Sequence, residues 1–463
     1  MEERDALIKR LLQEIEELKA EVVALRKENA ELRKENTELK EEIKRLKGTN
    51  SGNSSKPPST DRKKSKKDKP SIKGFSSPKE KRSHRKGITR TRTENPDKVI
   101  ECKPESCSRC GTSLENIAGK IKNTRQEIDI PEIKPIVTEF QAIEKRCSCG
   151  CTNTGHYPED IKSHVQFGKN ITAIATYLNT CQYVPFKRVT DILSDILGIE
   201  VSEGTLDNIL ERASVKASVY TDEIKHGLKT SDWVGSDETG IRIGSENHYL
   251  WVWQNNCFSF YINDKSRSYK VIQDNFGEDF KGISLHDGYA GQNKTHAMQH
   301  QQCLPHIMRR LQALIDMKRN SWAYQLQGLF RSLIRAKKKR SSIPENIWEK
   351  IQNRAKWLLD SFLDFKFKDK DAERLRKSLF RQKKSLLTFL YHDVPADNNG
   401  SERAIRLAKI HKKISNCFRN KTSARRFFTI LSVIQTAKKQ GLNLFNAIKS
   451  ILDQTLTLKL VMG

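Results

Sequence analysis

The sequence is short of acids, has no long apolar run and opens without an apolar leader. Asp and Glu number 57 against 85 Lys and Arg, a formal net charge of +28. That imbalance points to a polyanionic partner. An anionic membrane surface is the rival. No apolar run approaches the roughly 20 residues that span a bilayer, which argues against a membrane-embedded protein. The opening "MEERDALIKR" lacks the apolar core of a signal peptide. The expected location is therefore the cytoplasm, on the nucleoid if the host is bacterial. Ten cysteines in such a chain suggest metal ligands or free thiols rather than a disulfide framework. A length of 463 residues allows two to four domains.

Residues 1–47 carry a heptad pattern. Leu11, Leu18, Leu25, Leu32, Leu39 and Leu46 fall seven apart, and Ile8, Ile15, Val22, Asn29, Asn36 and Ile43 precede them by three. β-Branched residues or Asn at a, with Leu at d, favour a parallel two-stranded coiled coil. Glu at g, as in Glu14 and Glu21, faces Lys or Arg at e, as in Lys19 and Arg26. A homodimer through this zipper is expected. Residues 48–100 follow, with 16 Lys or Arg against 5 Asp or Glu and few apolar side chains. They read as a disordered tether, either phosphate-binding or merely solubilising.

Residues 101–158 hold Cys107-x2-Cys110 and, later, "CSCGC" with Cys147, Cys149 and Cys151. Two close-spaced thiol groups suit a structural zinc ribbon, with "TRQEIDIP" and "VTEFQAIEKR" as its strands. Cys107, Cys110, Cys147 and Cys149 are the expected Zn²⁺ ligands; Cys151 is an alternative and Cys102 an outsider. Residues 159–228 show helical periodicity. Within them "FKRVTDILSDILGIEVSEGTLDNILERAS" reads as helix, turn and helix, with Ser202 capping the second. This is either a helix-turn-helix-like DNA-binding segment or an ordinary helical hairpin.

From residue 229 the pattern changes. "WVGSDETGIRI", "HYLWVWQN" and "CFSFYIND" look like three consecutive strands, "SYKVIQDNFG" a short helix, and "KGISLHDGYAGQN" a fourth strand. Asp237 lies within the first strand and Asp287 ends the fourth. If those strands are neighbours, the two carboxylates converge. With a third acid from a later helix they can hold two divalent cations about 4 Å apart. Hard oxygen ligands suit Mg²⁺ or Mn²⁺. Glu402, at the front of the basic stretch "ADNNGSERAIRLAKIHKK", is the candidate third acid, although an acid in a first turn is also an ordinary helix cap. Arg403 and Arg406 could then meet DNA phosphates, while Asn398 and Asn399 contact substrate or brace the turn. Asp393 and Asp397 are rival third acids, Asp397 reading as a turn starter. Glu238 and His286 should point to the other face of their strands. Residues 296–392 read as a helical insertion that opens with Cys303-x2-His306, either half a zinc site or a packed pair.

The blocks "SDETGIRI…YLWVWQ", "HDGYAGQN…QQCLPHIMRR" and "DNNGSERAIRLAKIHKKIS", with the leader "SGNSSKPPSTD", resemble insertion sequence 66 family transposases over almost the whole chain. The resemblance implies a multidomain α+β protein with an RNase H-like catalytic core of the DDE type, split into residues 229–295 and 393–463. It implies Asp237, Asp287 and Glu402 as metal ligands, with Cys303 and His306 in the second block. It also implies small accessory proteins of the same element. The expected activity is cleavage at element ends and transfer of the 3′ hydroxyl into target DNA. A catalytically silent dimeric DNA-binding protein is the alternative.

Overall fold

The computed structural model describes residues 27–33, 35–39, 91–277 and 280–459. Residues 27–33 and 35–39 are helical and exposed. The rest of the expected zipper and most of the basic tether lie outside the described residues. The chain divides into two units: Lys63–Thr138 with Ile196–Gly198, and the remainder.

In the described part of the smaller unit, "TRQEIDIP" is irregular rather than a strand. Ile128 and Ile130 are exposed, so the alternating pattern has no face to bury and nothing holds it in a ladder. In the larger unit the second expected strand shrinks to β1 (Glu144–Arg146), paired antiparallel with β2 (Thr152–Thr154).

Three helices follow: α1 (Lys169–Thr176), α2 (Phe186–Leu197) and α3 (Glu203–Lys229). Ser202 Oγ accepts from Thr205 N at 3.1 Å and caps α3. This helix does not stop as a short second member of a hairpin. It runs 27 residues, and Ala213, Ala217, Tyr220, Ile224 and Leu228 pack into the main core.

The centre of the unit is a five-stranded sheet of β3 (Trp233–Ile243), β4 (Glu246–Gln254), β5 (Ser259–Asp264), β6 (Phe280–His286) and β7 (Ala297–Gln302), in the order β5-β4-β3-β6-β7. The first three strands form an antiparallel meander, whereas β6 and β7 run parallel to β3. α4 (Tyr269–Phe276) makes the crossover from β5 to β6. β7 was not expected. "AMQHQQ" has no β-branched or aromatic residue, so its strand conformation comes from pairing with β6 rather than from local preference. The helical insertion therefore starts after β7, with α5 (Leu304–Lys318), α6 (Ser321–Lys338), α7 (Glu345–Asp364), α8 (Lys370–Arg381) and the short α9 (Thr388–Tyr391). Their apolar faces share a core with Ile283 and Leu285 of β6. The chain returns through α10 (Asn399–Ser415), α11 (Lys421–Lys439) and α12 (Leu444–Asp453). Among the described residues no helix is long and apolar enough to cross a membrane.

Strand alternation sorts the core. Trp251 and Trp253 of β4 pack toward α3 and α12, while Leu250 and Val252 pack toward α10. α11 serves both sides. Ile430 and Ile434 join the first cluster, Phe427, Phe428 and Leu431 the second. It also closes the β5 edge. Ser432 Oγ and Thr436 Oγ1, one turn apart, accept from Tyr261 N at 3.0 Å and Ser259 N at 3.1 Å. Two edge donors are thereby satisfied that would otherwise be buried without partners.

α3 approaches the β4–β5 turn at Gly227, where an added Cβ would lie 2.5 Å from the Phe258 ring. Phe258 is buried, so it cannot swing away. Gly227→Ala should therefore cost about 1–3 kcal/mol through overpacking, read as a lower urea midpoint with an unchanged slope.

Candidate active site

β3 and β6 are parallel neighbours, with Gly235 opposite Leu285 as the last pair of their ladder. Asp237 and Asp287 each lie two residues further on. One strand spacing therefore separates them at the same end of the sheet. Gly235 and Asp237 share a face of β3, and this is the face on which α10 docks. A Cβ at Gly235 would come within 2.9 Å of Asn398 Oδ1 and Ser401 Oγ, so only glycine lets the start of α10 sit this close.

The docking is polar and buried. Asn398 Nδ2 donates to Ser236 O at 2.7 Å, Ser401 Oγ donates to Asn398 Oδ1 at 2.6 Å, and Gln254 Nε2 donates to Ser401 Oγ at 3.2 Å. Lys439 Nζ donates to Gln254 Oε1 at 2.7 Å. Desolvation lowers the Lys439 ammonium to about 7. Asn398 is thus a brace. Asn399 N donates to Asp397 Oδ1 at 3.0 Å, an Asx turn that occupies Asp397. Asp393 is fully exposed, 3.8 Å from Lys337.

This latch presents Glu402 from the first turn of α10. Its Oε1 lies 2.8 Å from His306 Nε2, and the His306 contact holds its carboxyl below the usual range, with Arg309 and Arg406 adding to the effect. The Glu402 side chain is thus engaged outside its own helix. The Cys303-x2-His306 pair braces the same segment twice: His306 meets Glu402, while Cys303 Sγ accepts from Asn398 N at 3.2 Å. Cys303 N also donates to His286 O at 2.8 Å, next to Asp287. The ligand atoms of Cys303, His306 and Glu402 lie within 4.8 Å of one another. Burial pushes the Cys303 thiol up to about 12, which favours a hydrogen-bonded thiol over a thiolate ligand. Arg403 is exposed and lies near enough to Lys439 to disfavour its charge.

On the opposite face of β3, Glu238 is held by Arg267 Nη2 at 2.7 Å and by Gln292 Nε2 at 2.6 Å, and Ser236 Oγ donates to Gln292 Oε1 at 2.6 Å. Gln292 belongs to the loop after Asp287, and Tyr289 N in that loop donates to Asp287 Oδ1 at 2.9 Å. Glu238 therefore fixes the loop that carries Asp287. His286 is buried, with Nε2 3.1 Å from His300 Nδ1. The sequence reading missed Arg267, Gln292 and Arg309. Arg309 alone left a signal, one helical turn beyond His306.

The half-buried Asp237 carboxyl is pushed up to about 7, first by desolvation, then by the charges of Asp287, Glu238 and Glu402. Carboxylates that repel one another at the end of a sheet form a hard-oxygen donor set, which fits divalent cations such as Mg²⁺ or Mn²⁺.

The cysteines lie in both units. In the smaller, Gly111 N donates to Cys107 O at 2.9 Å and Gly111 takes φ +75°. Hydrogen bonds from Thr112, then Cys107, lower the Cys110 thiol to about 7. In the larger, Gly150 N donates to Cys147 O at 2.9 Å with Gly150 at φ +88°. Hydrogen bonds from Cys149, then Ser148, lower the Cys147 thiol. Each pair is wound in a tight turn closed by a left-handed glycine, and the lowered thiols of Cys110 and Cys147 fit Zn²⁺.

Carboxylates gathered at one end of two parallel strands of a mixed sheet are a donor set able to hold divalent cations. The profile of the transposase IS66 family matches residues 164–426, which take in the sheet, all three acids and the helical insertion. The chain belongs to that family, whose members are DNA-processing enzymes. No curated protein matches it.

The raised Asp237 carboxyl has a consequence for stability. The folded protein binds a proton there more tightly than the unfolded chain, so stability from this group is full below about pH 4 and is lost as pH rises through about 7. In protein without divalent ions, Asp237→Asn should raise the melting temperature at pH 8 by about 2–4 °C and leave it nearly unchanged at pH 4, as read by calorimetry.

Proposed function

We propose that this chain is a DNA transposase of the DDE type, with an RNase H-like core in which Asp237, Asp287 and Glu402 hold two divalent cations. The observation that carries this reading is the convergence of Asp237 on β3 and Asp287 after β6, with Glu402 fixed near them by the α10 latch. The strand order, three antiparallel strands followed by two parallel ones, supports it. When bound, the cations supply Lewis-acid activation of the attacking oxygen and neutralise charge at the phosphate.

The chain's residues supply the rest. Asp237 and Asp287 present oxygens from rigid strand ends. His306 orients Glu402. Arg309 and Arg406 add positive charge where a DNA backbone passes. The site cuts one strand at an element end to leave a 3′ hydroxyl, then joins that hydroxyl to target DNA. Neither step requires a covalent link between protein and DNA.

The remaining parts serve the same reaction. The zipper joins two subunits for two element ends. The cysteine segment, with Zn²⁺ on its thiols, and the α2–α3 segment recognise the ends. The basic tether adds nonspecific affinity and keeps the protein on the nucleoid. Small accessory proteins of the same element assist.

A transposition assay tests this. A marker is placed between the element's own ends, the protein is supplied in trans, and new insertions are counted. Glu402→Gln should lower the count on the order of 10³-fold, the scale of removing one electrostatic group from an active site. Equal counts would return Glu402 to a capping role. An absence of insertions with wild type, accessory proteins included, would favour a protein that binds DNA and leaves it intact. His306→Asn should lower strand cleavage by about 10–100-fold, as loss of a ligand's orienting partner does, with unchanged binding of end DNA by gel shift.

A further inference from the structure

A groove of about 690 Å³ lies between β7, the edge strand of the sheet, and Phe380–Ser385, the end of α8 and the start of its connection to α9. This volume falls in the range of roughly 300–1,000 Å³ that holds organic ligands. The groove begins beside the candidate active site. Asn293, on its wall, belongs to the loop after Asp287 and donates through Nδ2 to Gly288 O at 3.2 Å.

The lining carries Arg381, Lys383 and Lys384 and no acid. All three cations are exposed. Lys383 shares its charge with Asp360, 3.2 Å away. Beside them Phe380 is 43% exposed, and Met298 on β7 is 56% exposed. Lys383 Nζ stands 5.4 Å from the centre of the Phe380 ring. Asn293, Gln299 and Gln382 add amides that can donate and accept.

Cations alone would fit any phosphate backbone. An aromatic ring and a thioether set among them fit the flat face of a base, and a duplex keeps those faces inside its stack. Cations that track a backbone beside rings that stack on bases are how single strands are held. We propose that this groove binds single-stranded nucleic acid, namely unpaired nucleotides of a DNA strand next to the carboxylate site. The assignment of the strand to DNA rests on the transposase reading; the preference for unpaired bases rests on the groove.

The test is fluorescence anisotropy of the full-length protein without divalent ions. The probes are a labelled single strand of about 12 nucleotides, within the span such sites cover, and a blunt duplex of the same length. Phe380→Ala should weaken single-strand binding about tenfold, the scale of one lost stacking contact, with duplex binding unchanged. Lys383→Gln with Lys384→Gln should reduce the salt slope for the single strand by about 1.4, from two phosphate contacts. All three side chains are exposed, so the fold should survive, as circular dichroism would check. Equal losses on both probes would reduce the groove to ordinary basic surface and overturn the proposal, as would no loss on either. Failure of the transposase reading appears elsewhere, as wild-type protein that never cuts end DNA with Mg²⁺ present.

Discussion

The geometry of the candidate site depends on one buried polar latch. Asn398, Ser401 and Gln254 tie the first turn of α10 to the backbone of β3, and Lys439 holds Gln254 from behind. Each of these groups is costly to bury alone and satisfied only in this arrangement. Directionality follows from that. An apolar contact would let α10 slide by a fraction of a turn, whereas a fully bonded network accepts one register. Gly235 and Gly400 make room for it, since a Cβ on either would reach the atoms of the latch.

Around the latch the molecule manages opposed charge. A chain of net charge +28 places Asp237 in the field of Asp287 and Glu402. Glu238, the fourth acid nearby, is matched by Arg267 and Gln292 on the other face of β3. Glu402 is matched by His306, with Arg309 and Arg406 close. Asp237 has no cationic partner among the causes of its shift, and its carboxyl rises most. The least compensated carboxylate thus stands where the divalent cations of the proposed reaction would bind.

Much of this was legible in the sequence, for physical reasons that differ by element. β3, β4 and β5 announce themselves through alternation and through turns rich in Gly, Ser and Asn. The acids Asp237 and Asp287 stood out because one interrupts a strand and the other ends one. β7 did not, because its residues have no strand preference and its conformation is imposed by β6. The expected ribbon strands show the converse: alternation over "TRQEIDIP" promised a ladder, but with no core beneath it the segment stays irregular. The parts of the site that escaped were long-range pairs. Nothing in the spacing of Glu238, Arg267 and Gln292 reveals that they meet, and the pairing of His306 with Glu402 spans 96 positions.

The distribution of the latch along the chain bears on when activity can begin. Asp237 and Asp287 are synthesised before Glu402, and the amine that steadies its docking helix comes later still, at Lys439. A nascent chain on the ribosome therefore carries two acids of the proposed site with no third to complete it. On the proposed mechanism, a protein able to break the genome of its own host becomes competent only after the segment from Glu402 to Lys439 has emerged.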